Sequence, residues 1–248
     1  MKAGLTPEER DRYTWQMWTP GFGEAGQEKL KAATVFISRI GGVGGTVAMQ
    51  LAAAGVGRLI LAHGGELRCN DLNRQLLMRS SGIGVLRVDQ AAERLREINP
   101  HVEVVTFAEN VSAARAGELV AEADIVVSAA PLFEERLAMN EAAVVAGKPI
   151  IHCAMYDMEA SVLVTEPGRT ACLACLTPEA PAWWKREFPV FGSVAGVAGS
   201  LAATEVIKCL SGLGQSSAGK LIAMDLANNH LRTVAVARDP GCVVCGGK

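Results

Sequence analysis

The chain has 248 residues, half of them hydrophobic but only 5% aromatic, and a net charge of −2. That length suits one large α/β domain, and the aliphatic composition fits helices on a parallel sheet better than a β-sandwich. The charge gives no electrostatic case for nucleic acid or an anionic membrane, and the small-residue run 192–204 is expected to be too short and too weakly apolar to span a bilayer.

Thr6 and Glu9 read as a capping box opening a mixed-charge helix over 6–18, and 24–32 as a second short polar helix. The apolar, β-branched run from Thr34 to Ser38 reads as a buried strand. It runs through Arg39 and Ile40 into a turn with Gly41, Gly42 and Gly44, and then into a helix over 46–54. Strand, glycine turn and helix form the start of a mononucleotide-binding unit, with a phosphate expected at the helix N-terminus.

Strand two is expected over 58–63, followed by a long loop over 64–81 with no apolar period. Helices are expected over 87–98, 113–123 and 134–146, alternating with strands over 102–107, 124–129 and 149–155. This alternation implies a parallel sheet with right-handed crossovers. The last hundred residues change character. A strand over 160–165 precedes a cysteine knuckle, a proline-rich linker over 178–189, a helix over 194–210 and strands over 221–226 and 231–237. The expected organisation is a single domain over 1–248: N-terminal helices (1–32), a nucleotide-binding-type unit (33–155) and a zinc- and partner-facing part (156–248).

Of seven cysteines, four form two C-x-x-C pairs, Cys172/Cys175 and Cys242/Cys245, with 66 residues between the pairs. Two such knuckles make a tetrahedral thiolate site, and four closed ligands mean structural rather than catalytic zinc. Cys69, Cys153 and Cys209 read as ordinary small hydrophobes. The N-terminal ten residues have no apolar signal core, so a reducing, cytoplasmic location is expected.

The ordered motifs identify a family. Arg12-Tyr13, Gly26-Gln-Glu-Lys-Leu30, Gly41-Gly-Val-Gly44, Ala52-Ala-Ala-Gly-Val-Gly57, Asn73-Arg-Gln75 and Ile98-Asn-Pro-His101 come first. Gly199-Ser-Leu201, Glu205-Val-Ile-Lys208 and Pro240-Gly-Cys-Val-Val-Cys-Gly246 complete the set. From Arg12 to Cys245 the chain resembles the MoeB/ThiF/HesA family, relatives of ubiquitin-activating enzymes. The resemblance implies a homodimer with structural zinc. It also implies ATP- and magnesium-dependent adenylation of the C-terminal carboxylate of a ubiquitin-like sulfur carrier.

Carried over residue by residue, however, the family's nucleotide site is largely replaced. Its first fingerprint glycine falls on Arg39, expected to project toward the nucleotide space. Its ribose-binding acid falls on His63, and the next acid of that loop on Gly65. A loop asparagine falls on Asp71, expected to repel a triphosphate, and a lysine on Arg87. The magnesium-associated aspartate falls on Pro131, and an arginine supplied by the dimer partner falls on Trp15. Arg74 alone is unchanged, leaving Arg74 and Arg87 as the catalytic candidates.

The preferred reading is therefore a non-catalytic or repurposed member. It would bind an anion near Arg39, Arg74 and Arg87, or a ubiquitin-like or peptide-tail partner beneath Trp183, Trp184 and Phe188. The alternative is an active adenylyltransferase with ligands moved to Glu66, Asp71 or Glu134. A nicotinamide oxidoreductase fares worst, because Arg39 spoils its fingerprint and no acid ends strand two. Gly192, Gly196 and Gly199 would let their helix approach another backbone, inside the domain or across a dimer seam.

Overall fold

The structure, a computed structural model, describes residues 4–246. The terminal residues 1–3 and 247–248, ends of the expected single domain, lie outside the described residues. The chain begins with α1 (Pro7–Arg12), α2 (Thr14–Met17) and α3 (Gly23–Ala32), then β1 (Thr34–Ser38), α4 (Gly42–Ala54) and β2 (Arg58–Ala62). Next come α5 (Arg87–Ile98), β3 (Glu103–Phe107), α6 (Ala113–Ala121), β4 (Ile125–Ser128), α7 (Phe133–Val145) and β5 (Ile150–Tyr156). The chain finishes with β6 (Glu159–Thr165), α8 (Leu173–Leu176), α9 (Gly192–Ser211), β7 (Lys220–Asp225) and β8 (His230–Ala235).

The eight strands form one sheet in the order β3-β2-β1-β4-β5-β6-β7-β8. β3 to β5 pair in parallel, and β5 to β8 pair antiparallel. This is the expected Rossmann-like fold with a C-terminal antiparallel extension.

Alternation along the strands divides the core. Val35, Ile37, Leu59, Leu61 and Val127 face α4, α5 and α9. Phe36, Ile60, Val126 and Ile150 face α6 and α7.

Three local expectations change. The Thr6–Glu9 capping box is present, but the first helix breaks at Tyr13. The Tyr13 ring is buried, and its hydroxyl accepts from Asn99 Nδ2 at 2.7 Å. α4 begins at Gly42, four residues earlier than the composition suggests, because its glycines form the first turn. A β-carbon on Gly44 would stand 2.2 Å from the Arg39 carbonyl oxygen, so only glycine lets the helix leave β1 this sharply.

α9 is likewise longer than predicted. At 20 residues with mean hydropathy 1.3 it is long and apolar enough, by length and composition alone, to cross a membrane. In this fold it packs against α4 and against β5 and β6 of the sheet, with Val194, Ala198, Ala202 and Val206 buried. Two of its three glycines make internal contacts. A β-carbon on Gly192 would meet the Asn73 carbonyl oxygen at 2.3 Å, and one on Gly199 the Val43 carbonyl oxygen at 2.6 Å. Gly196 faces open space.

Gly199→Val is therefore expected to force α9 off α4 and cost roughly 1–3 kcal/mol or more. Gly196→Ala should cost less than about 1 kcal/mol. Urea unfolding midpoints of the two variants check the contrast.

Candidate functional site

The crevice forms where strand order reverses, between the C-terminal ends of β1 and β4, as open α/β sheets require. It is a polar basin of about 1030 Å³, lined among others by Arg39, Gly41, Gly42, His63, Asp71, Arg74, Arg87 and Pro131. Gly44 alone of the expected set does not line it; it serves the turn beneath.

Arg39 sits at the end of β1 with φ of 63°, in the left-handed region that side chains seldom adopt. Its side chain does not stand free in the nucleotide space. It is 5% exposed, and its Nε donates to Glu135 Oε2 of α7 at 2.7 Å. A buried guanidinium needs a carboxylate partner, and α7 provides one. Burial nevertheless pushes the Glu135 carboxyl above its ordinary value, opposed by Arg39.

Asp71 holds the other two arginines. Arg87 Nη2 donates to its Oδ2 at 2.6 Å, and Arg74 Nη2 to its Oδ1 at 3.1 Å. Burial pushes Asp71 up, but the Arg87 hydrogen bond and both positive charges bring it below its ordinary value. Asp71 therefore acts as a clamp on two cations rather than as a bare repulsive charge. The expected free cluster of three arginines is instead three guanidiniums, each already on a carboxylate.

His63 follows β2 and is 7% exposed, with Nδ1 lacking a hydrogen-bond partner. Burial, then Arg39 and Arg87, pull its pKa down to about 3, so the ring is neutral near pH 7. Of the other suggested acids, Glu66 lines the basin with Asp71, whereas Glu134 is solvent-exposed and absent from the lining.

The linker crosses one side of the basin. Trp184 Nε1 donates to the Pro131 carbonyl oxygen at 2.7 Å, and its ring packs on Phe133 and Phe188 with centroids 5.3 and 5.4 Å apart. Trp184 and Phe188 thus cover the sheet, while Trp183 is 66% exposed. Trp15 is no core residue either: it is 82% exposed and stacked on Trp18 at 6.1 Å.

Sequence reasoning missed Glu135, Arg136 and His152. The signals were a charged Glu-Glu-Arg run just after β4 and a histidine interrupting the apolar run of β5. His152 is 3% exposed, and burial and then Arg136 hold its pKa near 3.

Far from the basin, the knuckles of α8 and the C-terminus meet over α7. Asn140 Oδ1 accepts from the Leu173 backbone N–H at 2.9 Å, and Arg238 donates to the Cys245 carbonyl oxygen. The sulfurs of Cys172, Cys175, Cys242 and Cys245 all lie within 4.8 Å of one another, with Cys172–Cys242 at 3.8 Å and Cys175–Cys245 at 3.4 Å. Tetrahedral thiolates about 2.3 Å from a zinc ion stand about 3.8 Å apart, so this donor set fits zinc.

Three outcomes are expected. Metal analysis should find one zinc per chain, and Cys175→Ser should lower both metal content and Tm, by about 2–4 °C for each kcal/mol lost. Arg39→Met strands the Glu135 charge and should cost about 3–5 kcal/mol, most of it recovered in Arg39→Met/Glu135→Leu. His63 and His152 have folded pKa values near 3 against an ordinary 6.5. The folded state then binds fewer protons, so stability present above about pH 6.5 is lost as pH falls toward 3. Each histidine contributes a slope of up to about 1.4 kcal/mol per pH unit. Urea midpoints measured from pH 8 to 4 should flatten in His63→Gln/His152→Leu.

Comparison with known proteins agrees with this geometry. The ThiF family model matches residues 13–244. A heterocyst HesA protein of Trichormus variabilis is 44% identical over 242 residues, covering 98% of this chain and 91% of that protein. A sulfur carrier protein adenylyltransferase of Thermus thermophilus is 37% identical over 250 residues, covering 97% and 92%. Among solved structures, E. coli MccB with ATP superposes with a TM-score of 0.86 at 27% identity, covering 95% of this chain and 74% of that one. The motifs, the sheet order, the four-cysteine cluster and these likenesses converge: the chain belongs to the ThiF family, and adenylyltransferases are among its homologues.

Proposed function

We propose that this member keeps the family's basin but does not adenylate with Mg·ATP in the familiar way. It receives there the carboxylate tail of a protein or peptide partner. The observation that carries the reading is Asp71. Each of its oxygens is taken by one of the two arginines that the resemblance leaves as catalytic candidates. A triphosphate would have to displace a buried carboxylate from both, which costs several kcal/mol.

The remaining parts of nucleotide handling are weakened in parallel. A neutral imidazole at His63 cannot replace a carboxylate that accepts from two ribose hydroxyls. Pro131 has no side-chain atom for a magnesium ion. A single carboxylate asks less of the site: the N–H groups at the α4 N-terminus suit it, with Arg68 and Arg186 on the basin wall. The four cysteines hold a structural zinc, and the exposed Trp15–Trp18 stack fits a second copy of the chain.

The second reading, an active adenylyltransferase with relocated ligands, is favoured by Glu66, which lines the basin and could serve magnesium. Pyrophosphate exchange with ATP, run with a carrier ending in Gly-Gly, decides between them. We expect no exchange above background and no Mg·ATP binding tighter than about 1 mM. Clear exchange overturns the proposal. Asp71→Asn/Pro131→Asp should raise ATP affinity by about tenfold or more.

A further inference from the structure

On the α7 side, no long helix among the described residues lies over the antiparallel half of the sheet. α6 and α7 cover Phe36, Ile60, Val126 and Ile150 and go no further. The continuation of that face carries Leu163 of β6 and Leu221 and Ala223 of β7, roofed by Phe133, Leu173 and Trp184. Together they enclose a cavity of about 320 Å³, at the small end of ligand sites, about 300–1,000 Å³.

Two polar side chains stand at its inner end, an unpartnered histidine and an arginine with no carboxylate hydrogen-bonded to it among the described residues. His152 of β5 is 3% exposed, and neither ring nitrogen has a hydrogen-bond partner. Arg136 of α7 is 7% exposed, and its Nη2 donates to the Cys153 carbonyl oxygen at 3.0 Å. The carboxylate next to it in sequence, Glu135, is taken by Arg39. The acids on the chamber wall, Glu159 and Asp225, are level with Tyr156 in the sheet register. That is four residues, or about 13 Å, along the strands from His152. The inner end therefore carries a guanidinium and an unpartnered imidazole, and the walls leading to it are mixed, with Leu163, Leu221 and Ala223 beside Ser161 and Arg232.

We propose that this chamber binds a monocarboxylate on an apolar body, the carboxylate on Arg136 and His152 and the hydrocarbon against Leu163, Leu221 and Phe133. A neutral ligand would leave the guanidinium uncompensated. A polyphosphate would bring more charge than Arg136 and Arg232 offset, with Glu159 and Asp225 at the outer end repelling it. The acid is either a free small molecule or an apolar C-terminal residue of a chain. Arg136 and Trp184 line both cavities, but Leu163, Leu221 and Ala223 line the chamber and not the basin, so this inference goes beyond the preceding one.

Calorimetry without nucleotide, on the full chain, tests it with four probes: octanoate, octanamide, a peptide ending in free leucine, and that peptide amidated. At least one free acid should bind, its amide at least tenfold more weakly. Octanoate binding assigns the free acid, and peptide binding the chain terminus. Ala223→Phe fills the chamber and should abolish that binding, with Tm reporting that the variant folds. Arg136→Gln should weaken it at least tenfold; should that variant not fold, Ala223→Phe carries the test. Absence of both acids up to about 1 mM, equal binding of acid and amide, or binding that survives Ala223→Phe overturns the proposal. The last outcome assigns the acid to the basin.

Discussion

A guanidinium at the end of β1, on a residue with left-handed backbone, reaches a carboxylate on α7, and the rest of the crevice is arranged around that pair. Arg39 and Glu135 are both about nine-tenths or more buried, so neither could keep its place without the other. The pair stands at the mouth of the strand reversal. Arg39 adds to the burial that keeps His63 neutral, and Glu135, though hydrogen-bonded to Arg39, still acts electrostatically on Arg136. One arginine ahead of the glycine turn thus shapes the electrostatics on both sides of β4.

The same logic governs the far wall of the basin. Arg74 and Arg87 come from a loop and from the start of α5, and Asp71 binds both. Three arginines around a crevice read as an anion receptor when only their positions in the chain are known. With two buried carboxylates among them, most of that charge is neutralised before a ligand arrives. The remaining attraction comes from the α4 N-terminus and from guanidiniums on the basin wall, which favours weakly charged anions over a triphosphate.

The sheet itself explains the second cavity. Its parallel half is covered on both faces, as crossover helices require. After β5 the strands turn antiparallel, and only α9 continues as a long cover on one face. The other face is left to α8, the zinc-type knuckles and the aromatic linker. Short, irregular covers leave space, and the buried ends of Arg136 and His152 open into it.

Much of this could be read from residues alone. Short apolar runs alternating with helical stretches placed nearly every strand and helix, because strands covered on both faces are apolar throughout. The paired C-x-x-C spacing marked four cysteines that do converge, since each knuckle fixes two sulfurs locally. Local chemistry also set the Thr6–Glu9 cap and the glycine turn. Which charges meet is a different matter. Arg39 and Glu135 lie 96 residues apart, and nothing in either neighbourhood reports the other. His152 reads as one polar residue in an apolar strand; that it faces an open chamber beside a buried arginine depends on where α6 and α7 end. The sequence by itself determined the scaffold and the metal-type site, because those are set by local spacing. Tertiary structure alone decided which of the basin's charges are free, because ion pairing is settled between elements distant along the chain.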